Sequence, residues 1–218
     1  AMGLAAAEAV RASYGPPGQV STLIIPADYS WSPSGEPGPV LARPVRPVPG
    51  EDRVAEARRL LAEGDRTAIF VSDGAMLERG LAAAGRIAAA TGARVFANRF
   101  AARLSAGAGR YGAQRIPYFP EQAEPMLAGL RHMILVEADA PVSFFAYPGR
   151  RSLLAPEECA YFTLAAIGED GTAALEALAD GLPAGPVLPY APPTAPDRGA
   201  LTLEAIARWP LITYRQGI

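Results

Sequence analysis

The side chains that most often do chemistry are scarce in this chain. It has one histidine, His132, and one cysteine, Cys159, and all 20 of its basic residues are arginine. Without lysine, neither a Schiff base nor a phosphate-loop lysine is available. A catalytic His132 would need an adjacent nucleophile or carboxylate pair, which its neighbours do not supply. We therefore predict a structural or surface role for His132 and a packing role for Cys159 at the start of an apolar strand.

Polar residues follow several of the apolar runs that predict strands. Asp73 and Gly74 end the first run, Asn98 ends the second and Asp139 ends the third. In an open α/β sheet, ligands bind beyond the carboxyl ends of the strands, where the strand order reverses. Gly74, Asn98 and Asp139 are therefore our candidates for binding a cofactor. No G-x-G-x-x-G follows a strand, although Gly-Ala-Gly-Arg at 107–110 could offer backbone amides to a phosphate.

The elements that must position these residues alternate between strand and helix. Apolar runs predict strands at 67–74, 93–99, 132–141 and 159–166. Helical periodicity and end signals predict helices at 51–64, 76–92, 121–130 and 170–182. This order predicts a doubly wound, mostly parallel, Rossmann-like α/β sheet with helices on both faces.

Proline-rich stretches bracket the regular part of the chain. The prolines of the first stretch are Pro33, Pro37, Pro39, Pro44, Pro47 and Pro49, and their density predicts an extended linker. Before it come a predicted helix at 4–13 and a predicted buried strand at 20–25, and a further helix is predicted from Leu201. We therefore divide the chain into four parts. They are the end of a preceding domain at 1–30, a linker at 31–50, a central α/β domain at 51–182, and a second linker with the start of another domain at 183–218.

The bulk properties exclude several classes of function. The chain has 218 residues, of which 50% are hydrophobic, and a formal charge of −2, without the clustered basic excess of a nucleic-acid-binding protein. No apolar run approaches the roughly 20 residues that a membrane helix needs, and the beginning of the chain has no signal-peptide pattern. A single cysteine permits no intramolecular disulfide and no thiolate zinc cluster, which favours the reducing cytoplasm.

Several short phrases resemble a known enzyme family. GPPGQV at 15–20 and IPAD at 25–28 are similar to the end of the first domain in thiamine-diphosphate-dependent enzymes of the acetolactate synthase large-subunit type. RIPYFPEQA at 115–123 and SFFAYPGRRS at 143–152 resemble a large-subunit-like branch of that family. GALTLEAIA at 199–207 resembles the lead-in to the last domain.

The resemblance implies that the chain is the central domain, with flanking pieces, of such an enzyme. Residues 1–30 would be the end of the pyrimidine-binding domain, and 183–218 would open the diphosphate-binding domain. In this family the glutamate that activates thiamine diphosphate, and the segment that binds Mg²⁺ and the diphosphate, belong to those outer domains. The chain is then expected to be a scaffold without activity of its own. The intact enzyme is expected to be a cytoplasmic homodimer, a lyase or transferase that decarboxylates and ligates 2-keto acids.

The resemblance also bears on a nucleotide in the central domain. Ser72-Asp73-Gly74 followed by Asn98 lacks two residues of the family's metal segment, so we interpret it as an ordinary strand end. True acetolactate synthases bind FAD in this domain, and other branches bind ADP or nothing. DAPVSFFAYPG at 139–149 replaces the arginine-rich phrase of the FAD-binding branch, which favours a scaffold without nucleotide. Its apolar loop is expected to pack on a neighbouring domain.

Two other functions stay open on the sequence. One is an autonomous α/β module that binds FAD, NAD or ADP. The other is a small α/β enzyme with an unrecognised site, which lacks any grouping of nucleophile, base and acid in the sequence.

Overall fold

Strands and helices alternate in the computed structural model, which describes residues 2–33, 35–107, 110–185 and 202–203. The strands are β1 (Thr67–Val71), β2 (Arg94–Ala97), β3 (Gln114–Arg115), β4 (His132–Val136) and β5 (Ala160–Ala165). The helices are α1 (Met2–Ser13), α2 (Glu51–Leu60), α3 (Glu78–Thr91), α4 (Pro120–Leu127) and α5 (Gly171–Asp180). Short 3-10 turns lie at Ala27–Ser30, Leu61–Arg66 and Asp73–Met76.

The strands form one parallel sheet in the order β3-β2-β1-β4-β5. From β1 the chain builds outward through β2 to β3, then crosses to the other side of β1 to form β4 and β5. The strand order therefore reverses between β1 and β4, which is the switch point of the sheet. The predicted Rossmann-like α/β fold is confirmed.

Alternate side chains of β1, β2 and β4 enter two separate cores, as the two-residue period of a strand requires. One face packs against α2, α3 and α5, and its strand residues are Ile69, Val71, Val95, Ala97, Ile134, Val136, Leu164 and Ala165. The other face packs against α4 and the segment 154–159, and its strand residues are Ala68, Phe70, Phe96, Met133 and Leu135. Both faces of the sheet are thus covered, which explains why the strands read as continuous apolar runs.

The ends of the helices follow from local chemistry. Gly92 ends α3 in the left-handed region, at φ 77°, and its N–H donates to the carbonyl of Ala88. Asp170 precedes α5, and its carboxylate accepts a hydrogen bond of 2.9 Å from the N–H of Ala173. The start of α5 lies beside the carboxyl end of β4, since the N–H of Gly171 donates to the side chain of Glu137 at 2.8 Å.

The secondary structure departs from the prediction at two strands, and one predicted helix lies almost entirely outside the described residues. The strand predicted at 20–25 is wrong for this chain, because no described strand lies beside it and Val20 and Ile24 are 94% and 87% exposed. The edge strand β3 was not predicted, since its two exposed residues carry no apolar signature. The helix predicted from Leu201 lies, apart from 202–203, outside the described residues.

The first part of the proline-rich stretch is exposed, and its last residues contact the α/β domain. Residues 35–50 contain neither helix nor strand, and most of them are exposed. Near its end, however, Pro49 is buried, and the carbonyl of Pro47 accepts a hydrogen bond of 2.8 Å from the N–H of Asp170. The last residues of the linker are therefore part of the folded body. The boundaries of the domain division stay a prediction.

Candidate functional site

A cleft of about 390 Å³ opens beyond the carboxyl ends of β1, β2 and β4. Its polar lining includes Ser72, Asp73, Asn98, Arg99, Glu137 and Asp139. Its apolar lining includes Phe70, Phe100, Tyr118, Phe144 and Leu154. The strand ends converge here because parallel strands all end at the same edge of a sheet. Of our three candidate residues, the cleft is lined by Asn98 and Asp139, and Gly74 directly follows its Asp73.

Asn98 uses its side chain to turn the chain after β2. Its amide nitrogen Nδ2 donates to Oγ of Ser72 at 3.2 Å, and its Oδ1 accepts from the N–H of Phe100 at 3.1 Å. Its backbone N–H donates to the carbonyl of Val71 at 2.9 Å. These bonds tie the ends of β1 and β2 together, so the amide is engaged within the chain.

Asp73 and Asp139 differ from Asn98 in being exposed. Neither carboxylate has a hydrogen bond or an ion pair with another residue in the part of the chain that the structure describes. Asp73 lies in the left-handed region, with φ 42°, where few residues other than glycine are found. The rim of the cleft is therefore acidic, with Arg99 as its exposed basic member.

Glu137 is the residue that the sequence reasoning missed at this edge. It directly follows β4, and its side chain is 1% exposed. Its Oε2 accepts from the N–H of Gly74 at 2.7 Å, and its Oε1 accepts from the N–H of Gly171 at 2.8 Å. Nη1 of Arg46 lies 2.9 Å from Oε2. A glutamate directly after four consecutive apolar strand residues was the available signal, because a buried carboxylate must find hydrogen-bond partners or reach water.

The backbone at Glu137 is strained. Its φ is 53°, and Asp73 is the other non-glycine residue with a positive φ among the described residues. The register between β4 and β5 shifts at Leu135/Val136, directly before it. A left-handed conformation costs roughly 1–3 kcal/mol for a residue with a side chain. The hydrogen bonds and the ion pair of the carboxylate offset this cost, since together they engage both of its oxygens.

Aromatic rings cover one side of the cleft and continue onto the surface. We call this set the aromatic patch, and its members are Phe100, Tyr118, Phe119, Phe144, Phe145 and Tyr147. Tyr118 is its centre, with ring centroids 5.6 Å from Phe144 and 6.0 Å from Phe100. Phe100, Phe144 and Phe145 are more than half exposed. An exposed aromatic surface of this kind is typical of an interaction site.

The histidine and the cysteine lie away from the cleft. His132 begins β4 and Cys159 directly precedes β5, so both lie at the amino edge of the sheet. Nε2 of His132 lies 3.2 Å from Oε1 of Glu63. Burial, and next the charge of Glu158, raises the pKa of the Cys159 thiol to about 11. Neither residue can act on a ligand in the cleft.

The polar side chains of the cleft do not form a metal centre among the residues that the structure describes. Among the described residues, no group of three or more His, Cys, Asp and Glu side chains is placed to hold a metal ion. Mg²⁺ therefore finds no such cluster of ligands among the described residues. Ala108 and Gly109, in the loop that could offer amides to a phosphate, lie outside the described residues. No described helix is long and apolar enough to cross a membrane.

A curated protein is similar to most of the chain. Over 198 residues the chain is 42% identical to the Mycobacterium tuberculosis (strain H37Rv) protein named "Putative acetolactate synthase large subunit IlvX". The match covers 87% of the chain but 36% of that protein, so the chain spans about a third of the length of this relative. The resemblance found in the sequence is thereby confirmed. No protein-family model matches the chain.

Two solved structures share the fold. The first is a thiamine diphosphate-dependent 4-hydroxybenzoylformate decarboxylase of Rhodococcus jostii RHA1, with a TM-score of 0.57 and 17% identity over 90% of this chain and 40% of that one. The second is described as "a putative thiamin diphosphate-dependent enzyme isolated from Mycobacterium smegmatis", with a TM-score of 0.51 and 17% identity over 72% of this chain and 33% of that one. At such identity the likeness is one of fold.

Proposed function

We propose that this chain is the central domain of a thiamine-diphosphate-dependent enzyme. The premise is that most of the chain is homologous to part of a protein of the acetolactate synthase large-subunit type. In this proposal it is a scaffold that holds two catalytic domains and is not catalytic alone. The observation that carries the proposal is the match itself, which covers 87% of the chain and 36% of the relative. The flanking pieces, 1–30 and 183–218, would belong to the outer domains.

The exposed apolar residues of the first segment support this assignment. No residue of α1 is buried. Val20, Ile24 and Ile25 expose 94%, 87% and 50% of their surface, although their residue types favour a buried strand. Such a segment buries its apolar side chains only when a sheet is beside it. The sheet of the pyrimidine-binding domain would supply that partner.

The aromatic patch supports a second contact between domains. It lies at the cleft, and half or more of the surface of Phe119, Phe144 and Phe145 is open to water. Contiguous exposed aromatic residues of this kind mark surfaces that another protein part covers. We propose that one of the outer domains covers the patch in the intact enzyme.

The chemistry of the intact enzyme would come from groups that the outer domains hold. Thiamine diphosphate, with Mg²⁺ on its diphosphate, would supply the electron sink for decarboxylating and ligating a 2-keto acid. The described residues of this chain would contribute the rigid sheet and the surfaces that orient the outer domains. A homodimer and a location in the cytoplasm complete the proposal, the latter because the single cysteine, Cys159, is a free buried thiol.

The test compares the chain alone with a longer protein. The purified chain, given pyruvate, thiamine diphosphate and Mg²⁺, should release no CO₂ above a protein-free control. A chimera in which this chain replaces the matching segment of the M. tuberculosis relative should bind thiamine diphosphate, as measured by calorimetry, as well as that relative does.

The intact relative is the matched control for the chimera. Turnover by the chain alone would contradict the proposal, because the chain would then carry a catalytic site. A folded chimera that has lost the cofactor affinity of the relative would contradict it as well, because the two segments would not be equivalent.

A further inference from the structure

The donors that would bind a phosphate at the switch point are already used by a carboxylate of the chain. Gly74 follows β1, and Gly171 is the first residue of the ten-residue helix α5. Their N–H groups, together with the guanidinium of Arg46, surround Glu137 at 2.7, 2.8 and 2.9 Å. Two backbone amides and an arginine at a helix N-terminus are a donor set that suits a phosphate group.

We propose that Glu137 is a built-in anion that closes the switch point of this sheet to nucleotides and fastens the linker to it. FAD, NAD and ADP all carry a diphosphate group, which in open α/β folds binds at this position. In this chain the two amides already donate to Glu137, and Nη1 of Arg46 pairs with it. The inference does not depend on the proposed function, since it concerns only contacts within the sheet and the linker.

The space above the two amides is also filled. A Cβ atom added to Gly171 would meet Oε1 and Cγ of Glu137 at 2.8 Å. A Cβ atom added to Gly74 would meet Oε2 of Glu137 at 3.2 Å and Nη1 of Arg46 at 3.4 Å. A phosphate could approach only by displacing the carboxylate. The displaced carboxylate of Glu137 would then be a buried negative charge without partners, next to the negative phosphate, which is strongly unfavourable.

The same carboxylate anchors the end of the linker. Arg46, besides pairing with Glu137, has Nη1 3.4 Å from the carbonyl of Glu169. The neighbouring Pro47 accepts the N–H of Asp170, and Pro49 is buried. The contacts of 46–49 thus converge on the start of α5. The group that closes the switch point therefore also sets the path by which the preceding segment enters the domain.

The experiment uses the whole chain and follows two amide signals. In the wild-type protein, the ¹H–¹⁵N peaks of Gly74 and Gly171 should not move when ADP or inorganic phosphate is added at constant ionic strength. Movement of these two peaks with saturation would overturn the proposal, because the donors would then be open to a phosphate. This arm needs no variant.

The variant Glu137→Ala tests whether the donors bind another anion once the carboxylate is removed. Glu137→Ala should melt several degrees lower than the wild type, and part of the loss should return in sodium acetate but not in sodium chloride, because acetate can occupy the vacated donors. The same variant should bind inorganic phosphate about tenfold more tightly than the wild type. Glu176→Ala, which removes the partly exposed partner of Arg79, is the matched control and should gain nothing from acetate.

Three results decide this arm. Specific recovery in acetate and tighter phosphate binding by Glu137→Ala support the proposal. Equal acetate effects on the two variants, or a folded Glu137→Ala that binds phosphate no better than the wild type, overturn it. If Glu137→Ala does not fold in any of these buffers, the two amide signals of the wild-type chain decide the question.

Discussion

Arg53 and Glu169 form a two-pronged ion pair at the start of α5. Nη1 of Arg53 donates to Oε2 of Glu169 at 2.7 Å, and Nη2 donates to Oε1 at 2.6 Å. The pair joins α2 to the turn that follows β5, and Glu169 Oε2 also accepts the N–H of Ala166 at 2.7 Å. The start of α5, where Glu137 and Arg46 meet, is therefore fixed by two ion pairs from segments that precede β1.

The Arg53–Glu169 pair should make stability depend on pH. The hydrogen bond from Arg53, followed by that from Ala166, lowers the pKa of Glu169 below its usual range. A lowered pKa in the folded state adds stability above the unfolded pKa, and this stability is lost as the pH falls through the folded value. Glu169→Gln should therefore cost about 1 kcal/mol of unfolding free energy near neutral pH, since the pair is partly exposed. The cost should shrink in acid.

Urea unfolding of wild type and Glu169→Gln at neutral and acidic pH measures this. Glu8→Gln, at an exposed position on α1, controls for the loss of one negative charge. A penalty for Glu169→Gln that stays the same in acid would show that the ion pair is not its source.

The Cys159 thiol should be unreactive in the folded chain. It is 5% exposed, and burial raises its pKa to about 11. Only the thiolate attacks a disulfide reagent, so at pH 8 roughly a thousandth of the folded molecules would be reactive. The rate of reaction with Ellman's reagent should rise by orders of magnitude when the chain is unfolded in urea. Equal rates in the folded and unfolded states would contradict the burial of this side chain.

Two glycines of α3 should respond differently to alanine. A Cβ atom at Gly80 would meet the carbonyl oxygen of Ala75 at 2.4 Å and its Cα at 2.7 Å, and neither backbone atom can turn away. Gly80→Ala should therefore cost about 1–3 kcal/mol. At Gly85 the nearest atoms are Cγ and Cδ2 of Tyr111, at 2.7 and 2.8 Å, and Tyr111 is a half-buried residue outside helix and strand, so it should shift at a lower cost than the backbone of Ala75.

Both substitutions gain the same helix propensity of about 1 kcal/mol. The difference in stability between Gly80→Ala and Gly85→Ala therefore reports how easily the atoms next to each glycine can move. Urea unfolding of both variants makes the comparison. We expect Gly85→Ala to be the less damaging variant, and a reversed order would argue against the tight contact between α3 and Ala75.

Removal of the first segment should hardly change the stability of the sheet. No residue of α1 is buried, and the residues at 20–25 lie outside the sheet. A chain that begins at residue 34 should thus melt close to the intact chain. A chain that begins at residue 51 should melt lower, because it loses Arg46, Pro47 and the buried Pro49. Thermal unfolding followed by circular dichroism compares the three chains, and equal losses in both truncations would disagree with this account.

Much of the fold could be predicted because its signals are local. Each long strand is an apolar run, and each helix that covers the sheet has an apolar stripe within a few residues of the chain. The strand at 20–25 carries the same signal, but a strand forms only when a partner lies beside it, and here no described strand does. The edge strand β3 shows the converse, since its exposed residues pair with β2 without any apolar pattern.

The candidate site was predicted less completely than the fold. Gly74, Asn98 and Asp139 do lie at the carboxyl edge of the sheet, and whether they bind a cofactor stays a prediction. Glu137 was missed, because the sequence shows that a charged residue follows β4 but not which groups form hydrogen bonds or an ion pair with it.

The amino-acid sequence by itself determined the layered α/β sheet and the edge at which polar residues gather, because periodicity and strand ends are properties of neighbouring residues. Only the tertiary structure decided how those polar groups are used. Glu137 meets Gly74, 63 positions earlier, Gly171, 34 positions later, and Arg46 from the linker. Such contacts arise when crossover connections bring distant segments to the switch point, and a buried carboxylate then takes the donors that lie within its reach.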